Sequence, residues 1–139
     1  MNGKNRQSRL GRCVLAGLIA GALATLLANL ANIILQRQFN QTFDQLNWLS
    51  ISRAAMISCV IGAFVYAGLL RWTKHPRFWF IILGVAVAVL DSVLVSMHPP
   101  VPGIARVANP LHFVVAITAL VLIPIVVPAI PAPTEKSDA

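Results

Sequence analysis

The chain has 139 residues, of which 58% are hydrophobic and only 11% charged, with a mean hydropathy of +0.77. Soluble domains carry about 25% charged residues, so this composition excludes a water-facing globular surface and leaves room for one membrane domain. The formal charge of +7 comes from bases set in short segments between apolar runs, which argues for membrane topology signals and against a nucleic-acid partner.

Residues 1–12, MNGKNRQSRLGR, are polar and basic and read as a cytoplasmic tail. The apolar run 13–35 that follows exceeds the about 7–15 residues of a signal-peptide core, so it is expected to remain as a first span. Gly17 and Gly21 form GxxxG in it, a spacing that puts small residues on one stripe where a second helix approaches closely. Asn29, Asn32 and Gln36 share a face further on. Residues 36–50 form a polar connection, with part of it patterned as a short surface helix through Phe39, Phe43 and Leu46.

A second span is expected over 51–70, with Arg53 near its start and Ala54, Ser58 and Gly62 as another small-residue stripe. The basic turn RWTKHPR (71–77) contains Pro76, which blocks helical continuity. The third span, 78–97, is almost wholly apolar and carries one ionisable residue, Asp91. A carboxylate at that depth costs about 2.5–3.5 kcal/mol on insertion scales, so it requires a partner, a wet cavity or a proton. His98-Pro99-Pro100 ends this span. The fourth, 110–130, is expected to start at Pro110 with Asn109 as its cap, and Pro124 and Pro128 are expected to loosen its last turns. A polar tail, 131–139, closes the chain.

The bases set the expected orientation. Lys4, Arg6, Arg9, Arg12, Arg71, Lys74, Arg77 and Lys136 fall on one side, and Arg37, Arg53 and Arg106 on the other. Positive-inside then places both termini in the cytoplasm of an inner-membrane, multi-pass protein. The reading is an all-α, four-helix transmembrane bundle.

In that orientation the polar side chains gather in the outer half. Asn29, Ser58, Asp91 and Thr118 lie at one depth, with Asn32, Arg53, Ser96 and His112 in a shallower layer. Two readings stay open. In one, the layer is interhelical glue, with Asp91 paired to Arg53 or His112. In the other it lines an outward-open pocket for an ion, a proton or a polar headgroup.

Catalytic signatures such as GxSxG, HExxH or a Gly-rich phosphate loop are absent from the sequence, and one Asp with one His falls short of the four ligands of a structural zinc. No cofactor is expected. The function expected first is a non-enzymatic membrane subunit or scaffold, packing through Gly17, Gly21, Ala54 and Gly62 against itself or a larger complex. The alternative is a small proton- or ligand-coupled transporter using Asp91. An intramembrane enzyme with Asp91, His98 and His112 is the third.

The first span ending in ANLANIILQ (28–36), the short basic turn, and LHFVVAITALVLIPIV (111–126) together resemble a family of small four-span bacterial membrane proteins of unknown function. That resemblance implies a four-helix integral membrane domain and no established activity. In length and span number the chain also resembles small multidrug transporters, which carry a membrane-embedded Glu in the first span where this chain has Asn29 and Asn32.

Overall fold

The structure, a computed structural model, describes residues 3–127. Four long helices follow one another: α1 (Gly3–Phe39), α2 (Trp48–Trp72), α3 (Pro76–Met97) and α4 (Ala105–Val126), each with a segment long and apolar enough to cross a membrane. A single 3-10 turn, Asp44–Leu46, interrupts the α1–α2 connection. Among the described residues there is no strand.

The helix ends follow from local chemistry. α1 runs back through the basic segment to Gly3, so that segment and the first span are one helix, because Lys, Arg and Gln favour helix and nothing between them stops it. It closes on a left-handed Asn40 (φ 50°), with the Gln41 N–H donating to the Gln36 carbonyl at 3.1 Å and the Asn40 N–H to Arg37 at 3.3 Å. This is the Schellman pattern, with Asn in the role usually taken by Gly. Asn47 caps α2 by accepting the Ser50 N–H at 2.9 Å. Pro76 takes the first turn of α3, where a missing N–H is harmless.

Two expectations are corrected here. α4 begins at Ala105, not Pro110, because Ile104, Val107, Ala108 and Leu111 form a buried helical stripe that continues across the proline. Asn109 therefore lies inside α4 and caps nothing; its Nδ2 donates to Ser96 Oγ on α3 at 3.0 Å. The surface helix expected in 36–50 is likewise absent: Phe43 turns inward and packs with Ala28, Ile51, Ile104, Val107 and Leu111 to plug that end of the bundle. The expected tail 131–139 and the loosening at Pro128 lie outside the described residues.

α1 packs along α2 on one side and α4 on the other, while α3 rests chiefly on α4. Ala16, Ala20, Ala24 and Ala28 are fully buried on α1. A Cβ on Gly17 would lie 2.9 Å from Ala63 Cβ and 3.1 Å from Val60 Cα, so only glycine allows this approach of α1 to α2. α3 is held differently: of its residues only Pro76, Phe80 and Ala88 are buried. Phe80 anchors it beside Tyr66, with ring centroids 5.0 Å apart. Arg77 adds a tie at the same end, donating to the Pro124 carbonyl at 3.3 Å. That carbonyl lacks its usual helical donor because residue 128 is a proline.

Candidate functional site

The polar residues toward the loop end of the bundle divide into two groups. The first is used up at the α1–α2 seam. Asn29 Nδ2 donates to the Thr25 carbonyl at 2.8 Å and to Ser52 Oγ at 3.2 Å. Buried Asn32 donates to the Leu46 carbonyl at 2.9 Å, pinning the 3-10 turn, and accepts from Gln36 Nε2 at 2.9 Å. These side chains satisfy backbone and one another, as interhelical glue does. Thr118 turns back on its own helix, donating to the Val114 carbonyl at 2.7 Å.

The second group lines a groove. α2 and α3 are joined by a short turn at one end and part beyond Tyr66 and Phe80, leaving a space of about 550 Å³ floored by α4. Ala54, Ser58 and Gly62 form the α2 wall, with Ala54 and Ser58 exposed to the opening and Gly62 near Ile123 and Phe80 at its turn end. Asp91 stands on the α3 wall and His112 on the α4 floor. Their levels follow from the α3–α4 register. Ser96 meets Asn109, and the Cβ position of Gly84 meets Leu120, so antiparallel counting sets Asp91 opposite Phe113 and Val114. His112 is then about 2–3 Å further toward the helix ends, at a rise of about 1.5 Å per residue.

The structure joins Asp91 and His112 in one groove and leaves Arg53 outside it. Arg53 is exposed and is five residues from Ser58, about 140° around α2 at 3.6 residues per turn. Among the described residues, no hydrogen bond or ion pair links Asp91 to Arg53 or to His112. Of the two readings left open for Asp91, the pairing with Arg53 or His112 is not formed, and Arg53 is not among the residues that line the groove. His98 ends α3, exposed and outside the groove, so the trio of Asp91, His98 and His112 does not assemble. Among the described residues no three His, Cys, Asp or Glu side chains converge as a metal site. Cys13 and Cys59 are free and buried.

Two groove residues escaped the sequence reading. Ser50 and Gln45 close its loop end, with the Ser50 hydroxyl donating to the Gln45 carbonyl at 2.5 Å. Ser50 was within reach: with Ala54, Ser58 and Gly62 it continues one stripe at four-residue spacing, hidden because the second span was expected to open only at Ile51.

The fold and this groove define a small multi-pass membrane protein, a four-helix bundle with one closed and one open side. The chain belongs to a family of unknown function, DUF6069, whose model matches residues 4–132. This agrees with the resemblance drawn from the sequence, which implied an uncharacterised family. A search of the curated proteins and of the solved structures finds no match.

Proposed function

We propose that the chain is a non-enzymatic protein of the bacterial inner membrane, with both termini in the cytoplasm, that takes an amphiphilic molecule from the bilayer into the α2–α3 groove. The supporting observation is the groove itself. Its volume of about 550 Å³ falls in the range of about 300–1,000 Å³ typical of small-molecule sites. Such sites are mostly apolar with a few polar groups that fix orientation, and here Asp91, His112 and Ser58 supply them. The orientation rests on the distribution of bases between the two ends. Transport, as distinct from binding, calls for a second copy or a larger complex to cover the groove, which is open along its side.

A subunit role is the second reading. The Gly17–Gly21 stripe is already occupied by α2 and offers nothing to another protein, but Ala54, Ser58 and Gly62 face outward and suit a partner helix.

The test is titration of the purified protein in nanodiscs with a fluorescent amphiphile, alongside Ser58→Phe. Ser58 is exposed on the groove wall, so phenylalanine there fills the groove and leaves the α1–α2 seam untouched. Saturable binding lost in the variant, with melting unchanged, is the expected result. Equal binding by both proteins overturns the reading. A stoichiometric co-purifying membrane protein, released by Ser58→Phe, favours the subunit role instead.

A further inference from the structure

The groove is chemically uneven along its length. Toward the turn end its walls are hydrocarbon, with Val65, Leu83 and Phe80. Toward the loop end it carries a carboxylate. We infer that the occupant is a single-tailed amphiphile with a cationic head, a quaternary or protonated amine, seated at Asp91 with its tail directed toward Phe80. This inference rests on the groove reading above.

Charge complementarity carries it. Asp91 lies six residues from the end of α3, about 9 Å inside the helix by its rise, on a wall that faces hydrocarbon. Among the described residues no cationic side chain forms an ion pair with this carboxylate. Arg53, His98 and Arg106 are exposed and are not part of the groove lining. His112 is the other titratable side chain lining the groove, and it makes no hydrogen bond to Asp91. An anionic head would meet the carboxylate with the same sign of charge, and an uncharged one would leave it uncompensated.

Length suits a single alkyl chain. From Asp91 to Phe80 is eleven residues along α3, about 16 Å, which suits a medium-length alkyl chain. The small side chains of Ala54, Gly62 and Ala88 keep that path clear.

The experiment displaces the fluorescent amphiphile from the full chain in uncharged glycolipid nanodiscs. The competitors share a dodecyl tail and differ in head: dodecyltrimethylammonium, dodecanol and dodecanoate. The trimethylammonium compound is expected to compete best and dodecanoate worst. Asp91→Asn should weaken the cation by about 30-fold or more, the cost of removing one partner of a desolvated charge pair, and leave dodecanol within about twofold. Asp91→Glu, which keeps the charge, should restore the cation. Equal competition by all three heads, or an unchanged cation affinity in Asp91→Asn, overturns the inference while loss of binding in Ser58→Phe still upholds the groove. Failure of every competitor, together with binding indifferent to Ser58→Phe, overturns both. A basic peptide helix that displaces the probe where dodecyltrimethylammonium does not assigns the groove to a partner protein and also refutes the inference.

Discussion

The α1–α2 seam and the α2–α3 seam are built from the same kind of residue and come out opposite. Both present small side chains at four-residue spacing. At α1–α2, Gly17 and Gly21 bring backbones together, and Asn29 and Asn32 add hydrogen bonds toward the loop end. At α2–α3, Ala54 and Ser58 are exposed on the groove wall, the Cβ position of Gly62 is at ordinary contact distance from Ile123 and Phe80, and Asp91 and His112 make no bond with each other. The difference is in what stands opposite. Small residues close a seam when the facing helix lies parallel and near; they open one when that helix is held elsewhere, as α3 is held by α4. Lipid tails are as apolar as leucine, so no hydrophobic penalty forces the second seam shut.

The sharpest way to break the comparison is to make one substitution in both seams. Gly17→Ala should destabilise by about 1–3 kcal/mol, because its new methyl meets Ala63 Cβ at 2.9 Å and the Cys59 carbonyl oxygen at 3.2 Å, neither of which is the end of a flexible side chain. Gly62→Ala should be neutral or stabilising by up to about 1 kcal/mol, since its methyl meets Ile123 Cδ1 at an ordinary 3.5 Å and helix propensity improves. Melting of the two variants in one detergent checks the signs; a loss at Gly62 as large as at Gly17 would close the open seam.

Asn32→Leu should cost about 1–2 kcal/mol, for it strands the Leu46 carbonyl and Gln36 Nε2 together. Ser58→Leu at the open seam should leave melting unchanged. A smaller effect is expected at Tyr66, which is fully buried and whose hydroxyl has no partner among the described residues. Tyr66→Phe removes a polar group that gains nothing from folding, so its melting temperature should stay level or rise, by an amount worth about 1 kcal/mol at most. The smallest expected quantity is a coupling. In a double-mutant cycle of Arg53→Gln and Asp91→Asn, the effects should add within about 0.3–0.5 kcal/mol, as for residues that share no partner. A coupling well above that would restore the ion pair.

Much of the site was legible as a set of residues and little of it as an arrangement. Asn29, Asn32, Ser58, Asp91 and His112 were found because a polar side chain in an apolar run stands out. Their expected arrangement in two adjacent layers rested on helical rise alone. What the sequence left open was the partner of Asp91, which depends on how the helices are rotated about their axes. The start of α4 failed for a simpler reason. Pro110 is a strong local signal, and the buried stripe of Ile104, Val107, Ala108 and Leu111 outweighs it.

The sequence by itself determined four membrane-length helices, breaks within the 36–50 connection, at Pro76 and at Pro99, and the identity of the side chains that hydrocarbon would not tolerate unaided. Only the tertiary structure decided that α1 and α3 lie on opposite sides, that one small-residue stripe closes while the other borders a groove, and that Asp91 shares that groove with His112 and not with Arg53. The reason is physical. In water, an apolar face marks the neighbour it must bury against; in a bilayer, lipid and protein are equally apolar, and periodicity no longer says which face meets which.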